Sequence, residues 1–278
     1  MGLARVEGGQ LFYEEKGGGV PILLIHPAGG TASTWGCAAD DLARVGRVVA
    51  YDRRGYARSG GGPVHSIPAH TADAAAILEA LEATPAVVVG QSVGATIAID
   101  LAMRRPDLVR TVIACESPWR AWRHPSASAL ATLARMELLA RRGRHADAAA
   151  MFLRWAYTYR DGGSAWDAFP EEWRRTAREN AKATLADVRI AIGDYPSPRK
   201  LATIVSPVVC TYGARGSDAM SRIARSLARS IPTARLREIE GAGHATAFDS
   251  PTGFVQVIVD AIGAGIAPSR RAQEAGRP

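Results

Sequence analysis

Ser92 stands two residues after an unbroken apolar run, Ala86-Val87-Val88-Val89, that ends in Gly90, and it precedes a small-residue amphipathic stretch that starts at Val93. The order is strand, tight turn, helix, with an alcohol at the corner. Glycines at positions 90 and 94 let strand and helix pass closely while the corner lifts the hydroxyl clear of the sheet. The string Gly-x-Ser-x-Gly is common, and a serine at a helix start is often only a cap; the buried strand in front of it makes this instance specific. A serine hydroxyl is a poor nucleophile at neutral pH and needs a base. His244, in Gly241-Ala242-Gly243-His244 after the last strand-like run, is the candidate. His65, His70, His124 and His145 sit in polar or helical segments, and His26 follows a strand where it is expected to brace the adjoining loop. A base of this kind needs a carboxylate to fix its tautomer. Glu116 closes the apolar run Leu108 to Cys115, where a charged side chain needs a reason.

The elements that must position these groups alternate. Leu3 to Val6 and Leu11 to Glu15 read as an opening hairpin. Pro21 to His26, Arg47 to Tyr51, Leu108 to Cys115, Pro207 to Tyr212 and Leu236 to Glu240 read as strands. Helices are expected over Thr34 to Val45, His70 to Leu81, Val93 to Met103, Met220 to Ser230 and Thr252 to Ile262. Alternation of this kind argues a doubly wound, mostly parallel α/β sheet.

With the elbow, Leu23-Leu24-Ile25-His26-Pro27-Ala28-Gly29-Gly30, Tyr51-Asp52-Arg53-Arg54-Gly55-Tyr56-Ala57-Arg58-Ser59 and the Gly-x-Gly-His loop, the chain resembles the α/β-hydrolase family along nearly its whole length. The resemblance implies an oxyanion hole built from the backbone N–H groups of Ala28 and Val93. Many relatives carry glycine where this chain has Pro27, but proline removes only its own N–H. The family most often places the acid after the strand ending at Tyr212, as Gly-x-x-Asp; here the matching position is Gly216, and Asp218 lies two residues beyond. Zearalenone-type lactonases take their acid from the strand end that Cys115-Glu116-Ser117-Pro118 resembles. Glu116 is therefore preferred as acid, with Asp218 as the alternative.

Between Pro118 and Ile204 strands vanish and helical segments follow: Ala127 to Arg142, His145 to Tyr157, Pro170 to Asp187, and a short piece near Ile190. By resemblance this is a helical cap, giving a body of residues 1–117 and 205–267, a cap of 118–204, and a tail of 268–278 expected to be disordered. Five of the six tryptophans lie in the cap. Trp119, Trp122, Trp155 and Tyr159 are the expected pocket residues, lining an apolar chamber above Ser92.

Composition narrows the classes. The 278 residues and 47% hydrophobic content suit one α/β domain with an insertion. The net charge of +7 comes mostly from arginines scattered beside acids, without a recognition motif, so no nucleic-acid partner is expected. No signal peptide, membrane span, metal cluster or phosphate loop is apparent, so neither a membrane partner nor a cofactor is expected. Three cysteines in unrelated contexts fit a reducing cytoplasm. The expectation is a serine hydrolase for a small, largely apolar or aromatic ester or lactone. Carbon–carbon bond hydrolysis, perhydrolysis and a silent ligand-binding role on the same fold remain alternatives.

Overall fold

Runs of valine, isoleucine and leucine become the inner strands of one sheet. In the computed structural model, which describes residues 1–193 and 196–264, the strands are β1 (Gly2–Val6), β2 (Gly9–Lys16), β3 (Pro21–Ile25), β4 (Arg47–Tyr51), β5 (Ala86–Gln91), β6 (Val109–Cys115), β7 (Val208–Gly213) and β8 (Ala234–Ile239). Their spatial order is β1-β2-β4-β3-β5-β6-β7-β8. β1 pairs antiparallel with β2, and β2 with β4; every other pairing is parallel. The opening hairpin and the doubly wound sheet are both as expected. The expectation for residues 268–278 lies outside the described residues.

The helices in chain order are α1 (Gly36–Leu42), α2 (Ile67–Ala80), α3 (Val93–Arg104), α4 (Ala127–Arg141), α5 (His145–Ala156), α6 (Ala165–Ala168), α7 (Glu171–Glu179), α8 (Ala181–Gly193), α9 (Pro198–Leu201), α10 (Asp218–Ser230), α11 (Thr246–Asp249) and α12 (Pro251–Ala264). Strand alternation decides which layer each covers. Leu23, Ile25 and Val88 point to the face packed by Ile77 of α2, Ile97 of α3 and Ile223 of α10. Ile22, Leu24, Val87 and Val89 point to the other, packed by Leu42 of α1 and by Phe254 and Ile258 of α12. Two covered faces explain why Ile22 to Ile25 of β3 and Ala86 to Val89 of β5 are apolar at successive positions.

Helices α4 to α8 form the insertion, with Met136, Ala148, Leu185 and Val188 as its own small core. Two helix expectations change. The segment from residue 34 divides into a 3-10 turn, Ala32–Trp35, and α1. The single helix expected over Pro170 to Asp187 breaks at Asn180, whose side-chain oxygen accepts the N–H of Ala57 in the body at 2.9 Å. The piece near Ile190 is the continuation of α8.

Candidate active site

Parallel pairing brings the candidate nucleophile and acid to one edge. Gln91 of β5 is in register with Cys115 of β6, and Cys115 with Thr211 of β7. The next residues on the first two strands, Ser92 and Glu116, therefore leave the sheet side by side, at the carboxyl ends where parallel sheets place their sites. Ser92 N–H donates to the Cys115 carbonyl at 2.8 Å, and Glu116 N–H to the Thr211 carbonyl at 3.1 Å. Both residues have positive φ, 55° at Ser92 and 49° at Glu116. Each such non-glycine conformation costs of the order of 1–3 kcal/mol and persists only where its surroundings hold it.

The elbow glycines are there for contact distance. A Cβ on Gly90 would lie 2.1 Å from the Gly94 carbonyl oxygen, and one on Gly94 would lie 2.1 Å from the carbonyl oxygen of Ile25. With neither Cβ present, α3 starts directly against the end of β3. Ala95 and Thr96 donate to the Ser92 carbonyl at 2.9 and 3.3 Å. Val93 is the first residue of α3, so its N–H is one of the donors that a helix start leaves unmet within the helix.

His244 is anchored from two sides. Its Nδ1 lies 2.6 Å from Glu116 Oε2, and the Gln91 side-chain amide donates to its main-chain carbonyl at 2.5 Å. The other Glu116 oxygen accepts the Gly213 N–H at 2.8 Å, so both carboxylate oxygens are engaged in a position with no solvent exposure. Asp218 stands elsewhere. It is the exposed first residue of α10, 3.2 Å from Arg160, and the helix is capped by Ser217. The carboxylate that meets the histidine is that of Glu116.

His26 braces the loop that follows β3. Its Nδ1 lies 2.8 Å from the Pro27 carbonyl oxygen, and its Nε2 accepts the Arg53 N–H at 3.0 Å, which together define a neutral ring with the proton on Nδ1. Burial, and then the Arg53 charge, hold its pKa down to about 3. The Asp52 carboxylate fastens the far end of the loop by accepting the Ala32 N–H at 2.7 Å.

A profile of the alpha/beta hydrolase family matches residues 22–257. The chain belongs to the alpha/beta hydrolase family. Among curated proteins it is similar to the uncharacterized hydrolase YraK of Bacillus subtilis, 37% identical over 115 residues that cover 40% of this chain and 42% of YraK. The chain thus spans less than half the length of that relative. The putative non-heme bromoperoxidase BpoC of Mycobacterium tuberculosis is 25% identical over 268 residues, covering 87% of this chain and 93% of BpoC. Among solved structures, the enol-lactonase from Burkholderia xenovorans LB400 superposes with a TM-score of 0.79 at 24% identity, over 94% of this chain and 100% of that one. At that identity the likeness is one of fold.

A cavity of about 270 Å³ lies between helices α5 to α7 and the loops after β3 and β8. Its lining includes Ala28 and Gly29 of the post-β3 loop, together with Gln91 and Ala245, the chain neighbours of Ser92 and His244. The apolar wall comes from Leu153, Tyr157, Trp166, Phe169, Trp173 and Phe248. Phe169 is its hub, with ring contacts to Tyr157, Trp166, Trp173 and Phe248, and Tyr157 in turn lies 5.5 Å from the His244 ring.

The expected pocket residues stand outside this cavity. Trp119 is buried in the body's core, its indole N–H on the Pro196 carbonyl. Trp122 is 54% exposed between Arg120 and Arg123. Trp155 tilts against Phe152 on the α5 face turned from the cavity and reaches Ser128. Tyr159 donates to Asp249 at 2.6 Å, and Asp249 accepts the Gly243 N–H at 2.8 Å, so this pair steadies the loop before His244. Facing direction, and not the number of tryptophans, decides which side chains line the cavity. Along α5, residues 153 and 157 share a face that 155 does not. Nothing comparable separates Trp166 and Trp173 from the others in sequence.

Proposed function

We propose that the chain is a serine hydrolase that cleaves a small, largely apolar carboxylic ester or lactone through an acyl-enzyme. The observation that carries this reading is the 2.6 Å contact between His244 and a fully buried Glu116 beside the strained Ser92 corner. A buried carboxylate on Nδ1 leaves Nε2 unprotonated and free to take a proton. Ser92 Oγ attacks the carbonyl carbon while His244 Nε2 takes the hydroxyl proton. The Ala28 and Val93 N–H groups receive the oxyanion, which needs preset donors. Collapse breaks the bond to the leaving alkoxide, which leaves with the proton from His244. Water then attacks the acyl carbonyl and gives a proton to the same nitrogen; collapse breaks the bond to Ser92 Oγ, which takes that proton back from His244 as the acid leaves. Thr31, Ser33, Thr34, Gln91, Glu172 and Thr176 give the cavity a polar side as well as its aromatic wall, and its size suits a compact acyl group. Membership of the alpha/beta hydrolase family and the similarity to the hydrolase YraK support hydrolytic chemistry.

The test is covalent labelling by a fluorophosphonate, with release of p-nitrophenol from p-nitrophenyl esters of graded acyl length. The parent protein is expected to label at Ser92 and to turn over short acyl esters fastest, and Ser92→Ala to fold without either property. Unchanged turnover in Ser92→Ala overturns the proposal. Ligand binding without labelling assigns a silent binding role, and labelling with turnover only at a carbon–carbon bond, or only with hydrogen peroxide as acyl acceptor, assigns those chemistries instead.

A further inference from the structure

Asp187 of α8 and Arg53, in the loop after β4, meet where solvent does not reach; their side chains are 1% and 0% exposed. The contact is two-pronged, with Arg53 Nη1 3.1 Å from Asp187 Oδ1 and Nη2 2.5 Å from Oδ2. Tyr56 donates its hydroxyl to the same Oδ2 at 2.5 Å, and His70 Nε2 lies 3.3 Å from Oδ1. Arg53's charge holds the Asp187 carboxyl far below the usual carboxylate range despite burial. Burying such a pair brings little net stability, since desolvation cancels much of the attraction. What it does supply is a fixed direction for the guanidinium.

That direction leads to the oxyanion loop. Arg53 Nη2 has a second acceptor, the Pro27 carbonyl oxygen at 3.3 Å, which also receives the Gly30 N–H at 3.1 Å and His26 Nδ1–H at 2.8 Å. Pro27 C=O and Ala28 N–H are opposite ends of one planar peptide, so fixing the oxygen on one side aims the N–H to the other. Ala28 lines the cavity. We propose that Asp187, though remote from the reacting atoms, is a positioning residue: it orients Arg53, Arg53 holds the Pro27 carbonyl, and the peptide plane points the Ala28 N–H at the oxyanion. The insertion thereby sets the oxyanion hole as well as the substrate wall. The inference rests on the acyl-transfer reading above.

Asp187→Asn alone strands a buried Arg53 charge, so two other variants carry the test. Arg53→Lys keeps the charge pair but gives up the fork that reaches both acceptors. Arg53→Met with Asp187→Leu removes both charges together. Both are expected to melt within several degrees of the parent. With p-nitrophenyl acetate, kcat should fall about 10- to 100-fold, short of losing a donor outright, while KM changes less than about threefold; a phenylboronic acid, which forms a tetrahedral adduct, should inhibit at least about tenfold more weakly. The amide resonance of Ala28 should move in both variants while that of Val93 stays. An Ala28 resonance unmoved in well-folded variants overturns the positioning role whether or not the protein turns over esters. A parent that neither labels nor hydrolyses counts against acyl transfer, and the resonance still decides the positioning. Equal losses in kcat and in folded fraction, with boronate affinity unchanged, reduce the network to a structural one and also overturn the proposal.

Discussion

Replacing Glu116 by glutamine changes one atom's chemistry and leaves its shape, which makes the acid assignment sharply testable. Oε1 accepts the Gly213 N–H at 2.8 Å, so in the variant the amide oxygen must remain on that donor. The NH2 group then occupies the Oε2 position, 2.6 Å from His244 Nδ1. Two donors cannot face each other, so Nδ1 must become the acceptor and the ring must carry its proton on Nε2. That is the nitrogen required to be free as base. The imidazolium formed in the transition state also loses its counter-charge. Such an acid-to-amide change costs a triad about 10⁴ in kcat, or about 5–6 kcal/mol of barrier. The assay is kcat for p-nitrophenyl acetate, with far-UV circular dichroism to show an intact fold. Asp218→Asn is the matched control: its side chain is exposed and, among the described residues, pairs with an equally exposed Arg160, so its kcat should stay within about twofold. A Glu116→Gln enzyme within tenfold of the parent, or a larger loss in Asp218→Asn, refutes the reasoning.

Acid sensitivity should begin earlier than carboxylates alone dictate. Folded His26 stays neutral down to about pH 3, whereas the unfolded ring takes a proton near 6.5. The unfolded chain therefore binds the extra proton in that window, so stability complete above pH 6.5 declines as pH falls toward 3, by up to about 1.4 kcal/mol per pH unit for one group. His70, shifted down by burial and Arg53, adds in the same direction. Melting temperatures from pH 7 to 5.5 measure this, and a flat profile rules it out. Gly94→Ala should cost at least about 3 kcal/mol, a melting drop of roughly 6–12 °C, because its Cβ meets only main-chain atoms, 2.1 Å from Ile25 O and 2.9 Å from His26 O. Gly263→Ala is the comparison: nothing lies within 4 Å on α12, so it should be neutral or slightly stabilising.

The elbow was legible in sequence because strand, glycine spacing and helix all had to agree there. The choice between Glu116 and Asp218 was legible only in outline. A charge closing an apolar strand must find a partner, whereas an acid opening a helix needs none beyond the helix itself. The same signal was present at Asp187, set among Leu185, Ala186, Val188 and Ile190, and was passed over because it sits in a helix rather than at a strand end. The break at Asn180 and the choice among cap tryptophans could not be read at all. Both depend on contacts across the insertion, with Ala57 in one case and Phe248 in the other, that no local pattern encodes.

The buried Arg53 ties the two halves of the molecule together in a way that constrains redesign. Exchanging helices α4 to α8 for those of another protein would remove Asp187 and leave a guanidinium in the interior without a counter-ion. A working chimera must therefore bring its own acid to that spot or carry a neutral residue at position 53.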